Sequence, residues 1–164
     1  RPLKHVKKPS LANTTCSKPH IKCTYLSAFL LFKELNLKLL GIHHAAIICS
    51  DYARSKHFYS NVLKLNVINE HFRADRNSYK LDLAMPDGSQ IELFSFDGSP
   101  ERPSYPEAQG LRHLAFKVAD VQIAKTYLES CDVKVEDIRV DEITGKKFTF
   151  FADPDNLPLE LYEV

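Results

Sequence analysis

The sequence lacks the cysteine spacing of a structural zinc site or of a disulfide framework. Its four cysteines contain no CxxC pair and lie at unrelated positions: Cys16, Cys23, Cys49 and Cys131. A structural zinc site needs closely spaced thiolates, and disulfide-rich secreted domains carry more regular cysteine patterns. We therefore expect reduced thiols, and we predict a cytoplasmic protein.

The sequence also lacks long apolar runs, and residues 39–164, which we call the body, carry no excess of positive charge. No run approaches the roughly 20 apolar residues that span a bilayer, and the longest lies near residues 25–32. Residues 39–164 carry 14 Lys/Arg against 20 Asp/Glu, so the body has no electrostatic reason to bind nucleic acid. Neither a membrane nor a nucleic acid is an expected partner. The composition, 44% hydrophobic and 26% charged, is that of a globular protein.

The first 38 residues differ from the rest in charge. They carry eight Lys/Arg and a single acidic residue, Glu34. Three interpretations fit this segment: sequence upstream of a true start near Leu39, an organelle-targeting peptide, or an arm that docks loosely on the body. We predict that residues 1–38 are a basic extension outside the core, and that the domain covers residues 39–164.

The body contains one pattern written twice. Residues 44–51 read HAAIICSD, and residues 113–120 read HLAFKVAD. Farther along each copy, MPDGSQIELF at 85–94 matches DPDNLPLELY at 153–162. We predict two modules, one over residues 40–97 and one over 111–164, joined by a Pro- and Glu-containing linker at 98–110.

Each copy carries one histidine near its start and one glutamate near its end. His44 matches His113 with an offset of 69 residues, and Glu92 matches Glu160 with an offset of 68. A lone histidine is more often structural, and a lone glutamate can point outward from a half-exposed strand. An acid flanked by apolar residues in both copies would, however, be costly on a buried face without a partner. Two imidazoles and two carboxylates form a ligand set suited to one divalent metal ion.

His43 precedes the first of these histidines, and its counterpart in the second copy is Arg112. Alternation along a strand predicts that His43 points away from the face that carries His44. We interpret His43 as a packing residue or as a residue that supports a metal ligand.

Apolar periodicity predicts a β-α-β-β-β order in both modules and an α+β fold. In module one, Asp51 is the predicted N-cap of the helix, and in module two Asp120 takes this place. The predicted elements of module one are a strand at 42–48, a helix at 52–63, and strands at 65–72, 78–85 and 90–94. Those of module two are a strand at 111–118, a helix after Asp120, and strands at 133–140, 146–152 and 157–162.

These motifs resemble the vicinal oxygen chelate superfamily, and within it the glyoxalase I-like (lactoylglutathione lyase-like) proteins. The resemblance covers residues 40–164 and rests on IELF at 91–94, GLRHLAF at 110–116 and FADPDNLPLEL at 151–161. It implies tandem modules whose curved sheets form a cleft, and a homodimer. It also implies that one divalent ion (zinc, nickel, iron or manganese) is bound by four residues: His44, Glu92, His113 and Glu160.

The resemblance further implies a metal-dependent lyase or isomerase that acts on a small molecule. The expected substrate is an α-oxo aldehyde thiol adduct or a related α-hydroxycarbonyl, converted through an enediolate with Glu160 as the catalytic base. Classical glyoxalase I carries an Arg and an Asn that bind glutathione where this chain has Ile48 and Phe96. Four cations could hold an acidic substrate: Arg102, Arg112, Lys146 and Lys147. Residues of this kind are more often exposed charges that keep a protein soluble, and we favour that interpretation.

Three alternatives remain at the level of sequence. A ring-cleaving dioxygenase uses two histidines and one glutamate, so a glutamate in both modules argues against it. A metal-dependent thiol transferase of the antibiotic-resistance kind shares the full ligand set. A non-enzymatic small-molecule binding protein of the same fold usually lacks the ligands.

Overall fold

The computed structural model describes residues 37–164, and Gly41–Val164 form one compact unit. Apart from its last two residues, the predicted extension at 1–38 lies outside this part of the chain. No helix among residues 37–164 is long and apolar enough to cross a membrane.

Module one is a four-stranded sheet with one helix. The carboxylate of Asp51 accepts a hydrogen bond from the Arg54 amide and caps the helix, as expected for an N-cap. The helix begins as α and continues as a π-helical turn. The strand order is β1-β4-β3-β2, and only the β1–β4 pair is parallel. The elements are β1 (His44–Cys49), α1 (Tyr52–His57), the π turn (Phe58–Val62), β2 (Asn66–Arg73), β3 (Ser78–Ala84) and β4 (Gln90–Ser95).

Module two repeats this topology. Its strand order is β5-β8-β7-β6, again with the first and last strands parallel, and Asp120 caps its helix through the Ile123 amide. The twofold β-α-β-β-β order and the α+β class are therefore confirmed. The elements are β5 (Leu114–Val118), α2 (Val121–Ser130), β6 (Arg139–Val140), β7 (Lys147–Ala152) and β8 (Pro158–Glu163).

One predicted strand is mostly irregular. Within 133–140, only Arg139–Val140 forms a strand, and Val135 makes an isolated bridge to Phe151. Backbone carbonyls that would accept hydrogen bonds from a neighbouring strand accept them from side chains instead. Lys125 Nζ donates to the carbonyls of Val135 and Glu136 at 3.2 and 2.9 Å, and Thr149 Oγ1 donates to the Glu136 carbonyl at 2.8 Å. The prediction of a continuous strand here was wrong.

The two modules are joined through the turn before β8. Asp153 is buried there, and its carboxylate accepts hydrogen bonds from the amides of Asp155 and Leu157. The hydroxyl of the fully buried Tyr59, in module one, donates to the same carboxylate at 2.9 Å. Asp155 in turn accepts from the Ser50 amide at 2.9 Å. Much of the FADPDN string thus has a structural role, because its two aspartates tie module two to module one.

We expect Asp153→Ala to destabilise the protein by about 3 kcal/mol, because it leaves the Tyr59 hydroxyl and two turn amides without their acceptor. Urea unfolding of the full chain would measure this as a lower midpoint with an unchanged slope. Asp87→Ala is the matched control, since Asp87 caps the corresponding turn of module one through Ser89 and is exposed. That variant should unfold near the wild-type midpoint. Equal midpoints for the two variants would contradict the structural role of Asp153.

Candidate metal centre

The first His–Glu pair lies on the open face of module one. His44 opens β1, and β1 runs parallel to β4, with Ala46 opposite Glu92. This register brings the Nε2 atom of His44 to 3.8 Å from Oε2 of Glu92. The opposite face of β4 is buried, since Ile91 and Leu93 belong to the core. Strand alternation therefore points Glu92 away from the core, where its side chain is 15% exposed.

Module two forms a second pair of the same design. His113 directly precedes β5, and Ala115 lies opposite Glu160 in the parallel β5–β8 pair. Nε2 of His113 is 2.9 Å from Oε2 of Glu160, whose side chain is 10% exposed. The edge of the His113 ring meets Phe150, with 5.1 Å between ring centroids.

Each pair is spaced to bind one ion. A metal bonded to an imidazole nitrogen and a carboxylate oxygen at about 2.1 Å each holds these two atoms roughly 3.0–3.4 Å apart. The 2.9 Å of His113–Glu160 and the 3.8 Å of His44–Glu92 bracket this range. Small side-chain rotations would bring either pair to bonding geometry.

The two pairs of one chain do not meet. Among residues 37–164, no group of three or more His, Cys, Asp or Glu side chains is arranged to hold a metal ion. A catalytic zinc site ordinarily has three protein ligands, and one pair supplies two. Each module thus presents one His–Glu pair, which is half of the four-ligand set predicted from the sequence. We call His44 with Glu92 the first half-site and His113 with Glu160 the second half-site.

His43 contacts His44 instead of pointing away from it. The two Nδ1 atoms are 3.0 Å apart, so one of them donates a hydrogen bond to the other. The prediction of opposite faces was wrong, because His43 lies before the first residue of β1, where strand alternation does not apply. When His44 is the donor, its Nε2 atom keeps a free lone pair facing Glu92, the tautomer that a metal ligand requires.

A lysine holds the glutamate of the first half-site. Lys80 Nζ donates to Oε1 of Glu92 at 2.9 Å and to Oδ1 of Asp82 at 2.6 Å. These bonds, first that to Asp82, raise the pKa of Lys80, so its ammonium stays charged. Sequence reasoning missed Lys80. The signal was present, since Lys80 and Asp82 alternate with the core residues Leu81 and Leu83.

The second half-site is surrounded by aromatic rings. Phe150 lies opposite Glu160 in the β7–β8 register, and Phe148 lies opposite Tyr162. The Arg139 guanidinium stacks on both phenylalanines, 5.0 and 5.1 Å from their ring centroids, and pairs with Glu136 at 2.9 Å. The first half-site therefore has a lysine paired with its glutamate, whereas the second is bordered by aromatic rings on which Arg139 stacks.

Within residues 37–164, the four cations singled out from sequence take no part in either half-site. Arg102 donates to the Leu111 carbonyl at 2.7 Å, and Arg112 pairs with Glu107 at 3.3 Å. Lys146 and Lys147 are exposed. Burial raises the pKa of the Cys49 thiol to about 11, so it remains protonated at neutral pH and is a poor metal ligand.

The comparisons with known proteins agree with this architecture. The family model described as Glyoxalase/Bleomycin resistance protein/Dioxygenase superfamily matches residues 41–161. The chain belongs to this superfamily. YaeR of Escherichia coli (strain K12) is 58% identical over 127 residues, which cover 77% of this chain and 98% of YaeR. YwkD of Bacillus subtilis (strain 168) is 56% identical over 125 residues, which cover 76% of this chain and 98% of YwkD.

A solved structure of a glyoxalase family protein has the same fold as this chain. The glyoxalase family protein from Enterococcus faecalis has 47% sequence identity and a TM-score of 0.70, with 81% of this chain and 99% of that chain covered. The resemblance and the fold class drawn from the sequence are thereby confirmed. Members of the superfamily commonly bind a divalent metal, and they are commonly dimers that act on small molecules.

Proposed function

We propose that the protein is a divalent-metal-dependent lyase or isomerase of the glyoxalase type, with each metal site shared between two copies of the chain. His44 and Glu92 of one copy and His113 and Glu160 of the other would hold the ion. The observation that carries this proposal is the pair of half-sites, each with ligand-compatible spacing and both incomplete in one chain.

A homodimer completes both half-sites at once. In a twofold arrangement, module one of each copy meets module two of the other, so two equivalent four-ligand sites form. Two imidazoles and two carboxylates suit zinc, nickel, iron or manganese. The carboxylate present in both half-sites favours this assignment over a two-histidine, one-carboxylate dioxygenase.

The two glutamates have different surroundings, and this difference supports different roles for them. A bound divalent ion would polarise a substrate carbonyl and acidify the neighbouring C–H bond. The Lys80 ammonium pairs with the Glu92 carboxylate and holds it in the charged form, which supports a role as a metal ligand. No Lys or Arg of residues 37–164 pairs with Glu160, whose partner is His113. Glu160 is therefore the group that accepts the substrate proton in this proposal.

The substrate class in this proposal comes from the resemblance to glyoxalase I-like proteins. An α-oxo aldehyde thiol adduct or a related α-hydroxycarbonyl offers two neighbouring oxygens and an acidic C–H bond. Ile48 is exposed and apolar, and Phe96 stacks on Phe94 with 5.8 Å between ring centroids. Because neither side chain can bind the charged groups of glutathione, the proposal does not include glutathione as the thiol.

We expect wild-type protein prepared without chelators to contain about one divalent ion per chain, by elemental analysis. His113→Ala should reduce this content to near zero, because it removes a ligand from every shared site. His57→Ala is the matched control, since His57 is an exposed residue at the end of α1, and it should keep the wild-type content. Unchanged metal content in His113→Ala would contradict the proposed site.

A further inference from the structure

Arg73, the last residue of β2, makes few polar contacts for a partly buried cation. Its guanidinium carbon lies 4.9 Å from the Phe94 ring centroid and 5.2 Å from that of Phe96. One Nη atom donates to Ser78 Oγ at 2.8 Å. Its buried Nε–H has no hydrogen-bond partner within the described part of the chain. A buried donor without an acceptor costs free energy. An anion that accepted hydrogen bonds from this guanidinium would remove part of that cost.

The charge of Arg73 is also unpaired within residues 37–164, in contrast to that of Arg139 in module two. Arg73 and Arg139 each stack on two phenylalanine rings. Arg139 has Glu136 at 2.9 Å, whereas no Asp or Glu among residues 37–164 lies within 4.0 Å of the Arg73 guanidinium. Arg139 therefore has a carboxylate partner in addition to its two rings, and Arg73 has no carboxylate partner in this part of the chain.

Arg73 lies beside the first half-site. Glu92 and Phe94 are two residues apart on β4, so they share the open face at a separation of roughly 7 Å. The Lys80 ammonium, which binds Glu92, lies 5.8 Å from the Phe94 ring centroid. Phe94 therefore lies between the Glu92–Lys80 pair and the Arg73 guanidinium.

We propose that Arg73 binds a carboxylate of the substrate that is remote from the two metal-binding oxygens. This rests on the proposed function and narrows its substrate class to vicinal-oxygen compounds with a carboxylate several bonds from the reacting carbon. A guanidinium matches the two oxygens of a carboxylate through parallel N–H bonds. Lys80 is not the anion-binding residue, because Asp82 and Glu92 already neutralise it.

Two 2-oxo acids test this with the metal-loaded full chain. 2-Oxoglutarate and 2-oxobutyrate offer the ion the same oxygens, but only 2-oxoglutarate has a second carboxylate. By isothermal titration calorimetry, the wild type should bind 2-oxoglutarate at least tenfold more tightly, as a charge-assisted bidentate contact allows. Arg73→Met should abolish this preference while metal content and 2-oxobutyrate affinity stay unchanged. Arg76→Met, an equal charge loss at a nearby exposed residue, should keep the preference.

The outcomes separate the two proposals. Equal affinities in the wild type, or a preference that survives Arg73→Met, would overturn the role of Arg73 and leave the metal site standing. Wild-type protein that binds no metal overturns both proposals. Should Arg73→Met fail to fold, Arg73→Lys decides the question, because a single ammonium cannot reproduce the bidentate contact. It should weaken 2-oxoglutarate binding several-fold without affecting 2-oxobutyrate, and unchanged binding of both acids would overturn the inference.

Discussion

Glu160→Gln should lower turnover at least ~100-fold, the typical loss when a general base is removed, while much of the metal is retained. The amide keeps an oxygen for the ion but has no basic lone pair with which to accept the substrate proton. Glu160 is mostly buried next to His113, so water is poorly placed to take over this role. The expected signature is a protein that retains metal and has lost activity.

Glu92→Gln should behave differently. Lys80 donates to the Glu92 carboxylate at 2.9 Å, and this contact favours a charged group at position 92. The amide should weaken metal binding, and excess metal should restore part of the activity. Glu129→Gln is the control for loss of a carboxylate, because Glu129 is an exposed helix residue that pairs with Lys125 at 2.9 Å. That variant should match the wild type in metal content and turnover.

Exchange of the substrate C–H proton with solvent measures this step without full turnover. NMR of an α-hydroxycarbonyl in D₂O, with each metal-loaded variant, reports the exchange rate directly. Glu160→Gln should exchange at least ~100-fold more slowly than the wild type, for the same reason as above. Exchange at the wild-type rate would show that another residue is the base, and Glu92 would be the next candidate.

The sequence predicted the two His–Glu pairs because each pair lies within a single module. The parallel pairing of the first and last strands of a module brings a starting histidine next to a late glutamate. Strand alternation points both side chains to one face, and the repeat shows the arrangement twice. The four ligand positions could therefore be chosen without coordinates, and the structure brings them together in two pairs. Coordination of a metal by these residues stays a prediction.

The arrangement of the modules could not be read from the repeat. Two copies of one pattern are compatible with one shared site in a chain or with half-sites completed by another chain. The contacts that join the two modules of one chain are made by single side chains, such as Tyr59 on Asp153, and lie outside any periodic pattern. The resemblance motif contained Asp153, but nothing in the string separates a turn-capping aspartate from one that takes part in chemistry.

Other details depend on contacts that periodicity does not contain. The region at 133–140 resembles a strand in composition, yet Lys125 and Thr149 hold its carbonyls in an irregular course. Arg73 ends a strand whose residues are mostly exposed, and in sequence it resembles a solubilising charge. What distinguishes Arg73 is a buried Nε–H that has no acceptor within residues 37–164, and no sequence pattern indicates this.

Mixing two inactive variants tests the shared site most directly. The His44→Ala dimer lacks a ligand in module one of both copies. The His113→Ala dimer lacks a ligand in module two of both copies. A heterodimer of the two variants has one doubly defective site and one fully intact site, because each site takes one module from each chain. Random mixing should thus recover about a quarter of the wild-type metal content and proton exchange.

The control mixes His44→Ala with Glu92→Gln, two variants of the same module, and should recover nothing beyond the separate proteins. Differently tagged chains allow the heterodimers to be isolated, so their formation can be verified before the metal is measured. If the site is shared between two chains, isolated heterodimers of His44→Ala and His113→Ala should contain one ion per dimer and show restored proton exchange. Heterodimers without metal or exchange, alongside wild-type protein that has both, would contradict a site shared between two chains.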